Sequence, residues 1–542
     1  MRYDAVVIGA GFAGLYMLHR LRQLGMSAHV YEAGDGIGGT WYWNCYPGAR
    51  CDVDSMQYCY SWTGDLQRSW QWTERYPTRD EILRYIHHVA DRYDLKRDIT
   101  LATRIEGGGW DADAGVWRIH SNRGHDIECR FLITATGCLS ESQRPDIPGL
   151  EQFEGQIHHT SRWPKDGVDL RGKRVAVMGT GSSGIQIVPE LARQASELIV
   201  LQRTPNFSIP AWNGPIDPAH QQRWHQNYPE LRARARATRS GILYDYGTQS
   251  GVAMSDEARR EEMERRWNKG GANFVHAFND TFTNKASNDF LAEFVRDKIR
   301  RTVRDPSVAE TLSPRDHAIG TKRICVDSGY YETFNLPHVR LVDLRTDPVE
   351  RFEGNSLVTT RSRYDIDAMV FATGFDAVTG ALERLNLRGE QGLTFKQLWT
   401  SGPTSYLGLM TVGFPNLFTI TGPGSPSILT NVIVSIEQHV DWISDCLAHM
   451  KQHGFRRIDP EQAAQDAWGR KVQDIAAGTL FVTANSWYMG ANVPGKPKLF
   501  LPFIGGFSTY SDLCKAVVEG GYQGFRFSVD SIHRSFTTEE TR

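Results

Sequence analysis

Residues 5–14 read Ala5-Val6-Val7-Ile8-Gly9-Ala10-Gly11-Phe12-Ala13-Gly14, and this stretch decides the fold. The apolar run at its start predicts a short strand that is buried on both faces, and the glycines follow that strand directly. Leucines then recur at helical spacing up to Leu24, and residues 28–32 predict the next strand. A lone glycine pattern is weak evidence, but glycines between a strand and a helix are typical of a dinucleotide-binding βαβ unit.

A second copy of the pattern follows the predicted strand at residues 174–178, and it reads Gly179-Thr180-Gly181-Ser182-Ser183-Gly184. Glu32 in the first copy and Gln202 in the second stand at the same offset from the first glycine. A carboxylate there accepts hydrogen bonds from a ribose 2′-hydroxyl and repels a 2′-phosphate, whereas an amide followed by Arg203 favours the phosphate. The sequence therefore predicts FAD at the first site and NADPH at the second, where the nucleotide is expected to remain as NADP⁺ after it has reduced the flavin.

Composition excludes several other classes of partner. The 542 residues include 61 basic and 63 acidic residues, so the net charge is close to zero and predicts neither a nucleic-acid groove nor binding to an anionic membrane surface. No uncharged apolar run approaches the roughly 18 residues that span a bilayer. The eight cysteines include no CxxC pair, so neither a metal site nor a redox-active dithiol is predicted. Scattered thiols and the lack of an N-terminal apolar signal region predict a cytoplasmic protein.

The predicted fold class is α/β, with two Rossmann-like dinucleotide-binding domains and a helical insertion. Two further strands end in Ala135-Thr136-Gly137 and Ala372-Thr373-Gly374, where the chain is expected to cross between the two domains. The stretch between them that is rich in charged residues predicts solvated helices. The predicted units are an FAD domain at 1–142 and 376–542, an NADPH domain at 143–210 and 320–375, and the insertion at 211–319.

Two longer strings carry a resemblance to a known family. Residues 153–164 match FxGxxxHxxxWP at every defined position, and residues 38–52 contain Gly38-Gly39-Thr40-Trp41, Tyr46-Pro47-Gly48 and Asp52. With these strings the chain resembles the type I Baeyer–Villiger monooxygenases, the family of the cyclohexanone, phenylacetone and steroid enzymes, over nearly its whole length. The resemblance implies oxidation of a hydrophobic ketone to an ester or lactone by NADPH and O₂, through a C4a-peroxyflavin.

The resemblance also implies roles for individual residues. Arg323 would be the catalytic arginine and Asp52 the catalytic-site acid that orients it. Lys322, Arg203 and Thr204 would hold the 2′-phosphate of NADPH, and Trp487 would close over its nicotinamide end. The residues expected to contact FAD are Gly9, Gly11, Gly14, Glu32, Gly39, Thr40, Trp41, Asp52 and Tyr58. Those expected to contact NADPH also include Thr180, Gly181, Ser182, Ser183, Gly184, Gln186 and Arg323. The expected ketone pocket consists of Ser427, Ile428, Leu429 and Val432.

Other interpretations stay open at this point. An N- or S-oxygenating flavin monooxygenase shares both nucleotide folds, although such enzymes typically end the FxGxxxH string without Trp-Pro. A flavin disulfide reductase is opposed by the absence of CxxC. A non-catalytic FAD/NADPH redox sensor is a further alternative. His159, in the FxGxxxHxxxWP string, is expected to act at a hinge or in packing rather than as a general base. The sequence does not define the oligomeric state, for which a monomer is favoured.

Overall fold

The computed structural model describes residues 1–529, and two sheets of mainly parallel strands organise it. Within these residues the strands are β1 (Arg2–Ile8), β2 (Ala28–Tyr31), β3 (Ile99–Thr100), β4 (Ile105–Asp111), β5 (Val116–Ser121), β6 (Asp126–Thr134), β7 (Gln156–His159), β8 (Arg174–Met178), β9 (Glu197–Gln202), β10 (Ser208–Pro210), β11 (Cys325–Asp327), β12 (Val339–Asp343), β13 (Val349–Glu353), β14 (Ser356–Thr359), β15 (Arg363–Asp365), β16 (Ala368–Phe371), β17 (Leu387–Arg388), β18 (Leu417–Thr419), β19 (Arg457–Pro460) and β20 (Phe525–Ser528).

The α-helices of the same residues contain 4–22 residues each. They are α1 (Phe12–Gln23), α2 (Thr40–Trp43), α3 (Gly64–Ser69), α4 (Arg79–Arg92), α5 (Ser182–Ala192), α6 (Pro218–Arg236), α7 (Asp256–Lys269), α8 (Lys285–Thr302), α9 (Pro306–Leu312), α10 (Tyr330–Thr333), α11 (Gly380–Arg384), α12 (Phe395–Leu398), α13 (Val432–His453), α14 (Gln462–Ala477) and α15 (Phe507–Glu519). No helix within residues 1–529 combines the length and the apolar character that crossing a bilayer requires.

The first sheet has the strand order β17-β4-β5-β6-β1-β2-β3, with β18 added beside β6. Strand β6 pairs in parallel with β1 along its length, antiparallel with β5 at its start and in parallel with β18 at its end. Helix α1 connects β1 to β2 and packs against α13, whose 22 residues cover the same face. Because β1 is buried on both faces, its apolar run is continuous rather than alternating.

The second sheet is parallel throughout, in the order β12-β9-β8-β16-β7. Helix α5 connects β8 to β9, which repeats the arrangement of β1, α1 and β2. Smaller sheets flank it: an antiparallel meander of β13, β14 and β15, and a parallel pair of β10 and β11. The predicted α/β class with two dinucleotide folds is confirmed.

The structure distributes the strands between the sheets in a discontinuous way. The first sheet takes its strands from residues 1–142 and 376–529, and the second from 143–210 and 320–375. The stretch 211–319 contains helices α6–α9 and, apart from a single bridge of Pro215 to Glu74, no strand pairing. The domain boundaries themselves stay a prediction.

Candidate active site

The first glycine loop is shaped by contacts that no larger residue could make. Gly9 has a φ of +108°, and a Cβ there would lie 2.6 Å from the carbonyl oxygen of Ala135. A Cβ on Gly14 would lie only 1.8 Å from the carbonyl oxygen of Gly9. These two glycines therefore let helix α1 start directly against the end of β6.

The second loop repeats these contacts residue for residue. Gly179 has a φ of +117°, and its Cβ would lie 2.3 Å from the carbonyl oxygen of Ala372. A Cβ on Gly184 would lie 2.0 Å from the carbonyl oxygen of Gly179. In each copy the first glycine packs against the alanine of an Ala-Thr-Gly string, so the two strings and the two loops form matched units.

The second glycine of each pattern, Gly11 or Gly181, has different surroundings in the two loops. Gly11 and Gly39 approach each other so closely that a Cβ on Gly39 would lie 3.0 Å from the Cα of Gly11, whereas a Cβ on Gly181 would meet no atom within 4 Å. No side chain caps α1 or α5, which begin at Phe12 and Ser182. The N–H groups of both first turns are thus available to a pyrophosphate, and both loops fit a dinucleotide.

Glu32, at the end of β2, is buried and held by backbone donors. Its Oε2 accepts a hydrogen bond from the Ala10 N–H at 2.7 Å, and its Oε1 accepts one from the Gly34 N–H at 2.8 Å. Burial raises the pKa of this carboxyl group, and the two N–H donors oppose that rise. The carboxylate is therefore fixed beside the first glycine loop, where a ribose hydroxyl would reach it.

Thr40, Trp41 and Tyr58 lie around the same loop. Thr40 is exposed and opens helix α2, which follows Gly39. The Trp41 Nε1–H donates to the Tyr58 hydroxyl at 3.2 Å, and the Tyr58 ring packs edge-on against Phe12 at 5.8 Å. The two buried aromatic residues thus support the start of α1 from behind.

The second site ends in positive charge. Arg203 is exposed and Lys322 is half-buried. Burial lowers the pKa of Lys322, the Asp316 charge opposes this and the Arg203 charge adds to it, so the two cations lie near each other. The Thr180 hydroxyl donates to the Thr204 carbonyl at 2.6 Å and joins the glycine loop to this cationic end.

The position of Gln202 in the second copy suggests contact with the nucleotide, but its side chain contacts the protein instead. It is buried, and its Nε2 donates to the Thr311 carbonyl at 2.8 Å. Its amide therefore supports the helical segment, and the exposed Arg203 is the next side chain along the chain at this end of the site.

Gln186, on α5, joins the two halves of the molecule. The Tyr46 hydroxyl donates to its Oε1 at 2.7 Å, and its Nε2 donates to the Arg50 carbonyl at 3.1 Å. Ser183 is a further hydrogen-bond partner of Tyr46. On the same helix the Ser182 hydroxyl lies 3.6 Å from the Cys325 sulfur. The loop that leads to Asp52 is thereby held against the second glycine loop.

Asp52 and Arg323 form a bidentate ion pair across this junction. Arg323 donates through Nε to Oδ2 at 2.8 Å and through Nη2 to Oδ1 at 2.7 Å, while its Nη1 donates to the Ile428 carbonyl at 3.2 Å. The Asp52 charge holds the pKa of Arg323 well above its usual value. The guanidinium is therefore a fixed cation in a set orientation.

Arg323 lies on the wall of a cavity of about 120 Å³. The lining is mainly apolar, with Ile242, Ala272, Val275, Phe282, Ile324, Leu429, Phe481, Phe503 and Ile504. Of the four residues expected to form the ketone pocket, Leu429 lies on this wall. Ser427 and Ile428 line a separate narrow gap that has no room for a water-sized molecule, and Val432 packs against the core of the first sheet.

The cavity also has polar residues that sequence reasoning missed, among them Tyr244, His276 and Tyr488. Burial raises the pKa of Tyr488 to about 12, although the Arg323 charge opposes that rise. The half-buried Trp487 packs beside Tyr488 with ring centroids 4.4 Å apart. Tyr488 could have been found from the sequence because it follows Trp487 directly. Tyr244 and His276 lie in the stretch 211–319, where no sequence motif points to a site.

His159, at the end of β7, contacts both the linker that enters the second sheet and the second Ala-Thr-Gly string. Its Nδ1 accepts a hydrogen bond from the Ser161 N–H at 3.1 Å, and its Nε2 lies 3.2 Å from the Gln143 carbonyl and 3.4 Å from the Thr373 hydroxyl. Burial lowers its pKa. It joins the linker that enters the second sheet to the second Ala-Thr-Gly string, and its hinge or packing role stays a prediction.

Comparison with known proteins identifies a family model, relatives and solved structures that this chain resembles. A family model described as pyridine nucleotide-disulphide oxidoreductase matches residues 6–238. A Baeyer–Villiger monooxygenase of Pseudooceanicola batsensis is 38% identical over 524 residues, covering 96% of this chain and 95% of that protein. A steroid monooxygenase bound to NADP has a TM-score of 0.93 and 47% identity, with 97% and 99% covered. A complex titled OTEMO with FAD and NADP has a TM-score of 0.93 and 38% identity, with the same coverage.

Two matched glycine loops, one beside a buried acid and one beside a pair of cations, define an oxidoreductase with two dinucleotide sites. The fixed Asp52–Arg323 pair lies where the segments that carry these sites meet. The chain belongs to the Baeyer–Villiger monooxygenase family. The family resemblance seen in residues 38–52 and 153–164 is thereby confirmed.

Proposed function

We propose that this chain oxidises a hydrophobic ketone to an ester or lactone, with Arg323 as the catalytic residue and Asp52 as its positioning residue. The net reaction converts ketone, O₂, NADPH and one proton to ester, NADP⁺ and water. The observation that carries this proposal is the bidentate Arg323–Asp52 pair on the wall of a mainly apolar cavity. It is supported by relatives named for ketones, such as cyclohexanone and acetone monooxygenases.

The first glycine loop would hold FAD and the second NADPH. When bound, FAD accepts the hydride of NADPH and activates O₂. Glu32 would accept the ribose hydroxyl of FAD, and the first turn of α1 would bind its pyrophosphate. The 2′-phosphate of NADPH would pair with Arg203 and Lys322, while residues 180–186 would enclose its pyrophosphate.

Arg323 supplies positive charge where negative charge develops on oxygen. When the ketone carbonyl is attacked, its oxygen becomes anionic, and a guanidinium already in place stabilises it without reorganisation. Asp52 keeps the guanidinium plane fixed through two of its N–H groups and the Ile428 carbonyl binds a third. Because the pKa of Arg323 is raised, the group stays protonated over the whole working pH range.

The cavity wall would bind the body of the ketone and exclude water. Leu429 contributes to the wall directly, and Ser427, Ile428 and Val432 are proposed to support it from the same segment. Trp487 would cover the nicotinamide end of the bound nucleotide, next to Tyr488. A sheltered cavity favours the transfer of oxygen to the ketone over its loss to water as hydrogen peroxide.

The division into an FAD domain, an NADPH domain and a helical insertion is also proposed with the boundaries given above. It is supported by the division of the strands, because the first sheet takes its strands from residues 1–142 and 376–529 and the second from 143–210 and 320–375. We propose a cytoplasmic location, supported by eight cysteines that are all free, and a monomer.

A panel of ketones tests the proposal. The FAD-loaded protein is given NADPH, air and aryl-alkyl, cyclic, macrocyclic or steroid ketones, and the products are identified by mass spectrometry. We expect ester or lactone from at least one class, with NADPH and O₂ consumed in equal amounts. The same assay is run with an amine and a sulfide to measure N- and S-oxygenation. N-oxygenation is included because one relative is named a phenazine N-monooxygenase. Hydrogen peroxide as the sole product with every ketone would overturn the proposal.

A further inference from the structure

A second arginine, Arg239, lines the same cavity as Arg323. It follows helix α6 and is exposed, so it lies where the cavity meets solvent. Its guanidinium carbon lies 5.5 Å from the ring centroid of Phe282, which is itself part of the wall. Among residues 1–529 no acceptor hydrogen-bonds to its side chain and no carboxylate pairs with it. Its five N–H donors are therefore available to a ligand.

The position of Arg239 is part of the fold. Its carbonyl oxygen accepts a hydrogen bond from the Phe507 N–H at 2.7 Å, where helix α15 begins. A Cβ on Gly506 would lie 3.2 Å from the Cβ of Arg239, so the two backbones are in close contact. The ring of Phe282 stabilises the guanidinium by a cation–π contact. Backbone and side chain are both held at the cavity mouth.

The charges around the cavity do not balance without a ligand. Asp52 compensates Arg323, but the lining residues include no aspartate or glutamate that could compensate Arg239. Burial lowers the pKa of His276 to about 3, and the Arg239 charge adds to this, so that ring is neutral. Burial raises the pKa of Tyr246, so its hydroxyl is neutral as well. One positive charge is left uncompensated at the mouth.

We propose that Arg239 binds a carboxylate of the substrate, so that the ketones this enzyme prefers are keto acids with an apolar body. A planar guanidinium matches a carboxylate with two parallel hydrogen bonds, and a single uncompensated charge matches a monoanion. The carboxylate lies at the mouth, the apolar body along the wall and the carbonyl at Arg323. This inference rests on the proposed function, because the placement of the carbonyl assumes ketone oxidation.

The test compares keto acids with their methyl esters, which have the same carbonyl and no charge. Levulinate and oxocyclohexylacetate are each assayed beside the corresponding methyl ester with the FAD-loaded protein. The variants are Arg239→Gln and Arg239→Lys. The matched control is Arg234→Ala, which removes an exposed arginine of α6 that pairs with Glu230. Each protein is also titrated with acid and ester in the presence of NADP⁺, and the flavin absorbance reports binding without turnover.

We expect Arg239→Gln to lower kcat/KM and affinity for the acids by about tenfold, with the esters and the KM for NADPH unchanged. For Arg239→Lys, we expect kcat/KM and affinity for the acids to lie between those of Arg239→Gln and the unaltered protein. Arg234→Ala is expected to match the unaltered protein. Equal losses for acid and ester, a loss confined to NADPH, or no preference for acids in the unaltered protein would each overturn the inference. If no ketone is oxygenated, the proposed function fails, while the binding titration still decides the role of Arg239.

Discussion

At the scale of single residues, the arrangement of Arg323 explains how one side chain serves as a fixed cation. Asp52 and the Ile428 carbonyl engage three of its N–H groups, which leaves donors at the cavity wall beside Tyr488. A half-buried cation without its carboxylate would be mobile and costly to desolvate. The pair therefore combines permanent charge with a set direction, and neither residue achieves this alone.

Replacing Arg323 by alanine is expected to leave flavin reduction by NADPH within a few-fold of normal and to lower ester formation by at least about 100-fold. The reason is that the guanidinium acts on charge that develops only during oxygen transfer. Stopped-flow absorbance measures reduction, and mass spectrometry measures ester. Arg323→Lys serves as the control for charge without the two-point geometry, and it should recover only part of the loss. Ester formation that persists in Arg323→Ala would remove this residue from its role.

Arg203 is the residue that we propose to determine the choice between NADPH and NADH. Because it is exposed and close to Lys322, its charge should act on the 2′-phosphate that NADPH has and NADH lacks. Arg203→Ala is expected to raise the KM for NADPH by about tenfold and to leave that for NADH within about twofold. Steady-state kinetics with both coenzymes measures this. Arg193→Ala, at an exposed arginine paired with Glu190, should change neither value. Similar losses with both coenzymes would contradict the assignment.

At the scale of elements, each nucleotide site is a strand, a glycine loop and a helix packed against the end of a neighbouring strand. Gly14 and Gly184 allow the close contact of helix and loop, whereas Gly181 borders open space. The glycines of one motif therefore have separable purposes, because some serve packing and one serves the approach of the ligand.

Because the two glycines differ in this way, replacing Gly184 is expected to affect mainly stability, and replacing Gly181 mainly NADPH binding. Gly184→Ala would place a Cβ 2.0 Å from the Gly179 carbonyl, and we expect it to lower the free energy of unfolding by about 1–3 kcal/mol. Gly181→Ala meets no protein atom within 4 Å and is expected to cost less than about 1 kcal/mol, while it weakens NADPH binding several-fold. Thermal unfolding without nucleotide and NADPH titration measure the two effects. A stable Gly184→Ala protein with normal NADPH binding would contradict this interpretation.

The sequence predicted the elements of these units well because their signals are local. The strand predicted at 174–178 is β8 (Arg174–Met178), and the strand predicted at 28–32 is β2 (Ala28–Tyr31), which ends one residue earlier. Strand β1 begins earlier than its apolar run because its first residues pair with β6. The cavity could not be predicted in the same way, because Tyr244, His276 and Phe481 come together only through tertiary packing.

At the scale of the whole molecule, the C-terminal part of the chain returns to the junction between the two sheets. The Asn492 side chain donates to the Phe375 carbonyl at 2.6 Å, just after the second Ala-Thr-Gly string. Lys496 contacts Asp376 and Thr379, each at 2.6 Å, and Glu383 at 3.4 Å. These contacts hold the segment at residues 486–496, which carries Trp487 and Tyr488, over the cavity wall.

Lys496→Ala is expected to loosen this segment, because Asp376 and Glu383 then lose a shared cation in a partly buried setting. A looser segment admits water, so the share of NADPH oxidation that ends in hydrogen peroxide should rise several-fold while the rate of flavin reduction stays within about twofold. A peroxidase-coupled assay beside NADPH consumption measures that share. Lys498→Ala is the matched control, since Lys498 is exposed two residues further on. An unchanged peroxide share in Lys496→Ala, together with an unchanged rate of proteolysis within 486–496, would show that the ion-pair cluster does not hold the segment closed.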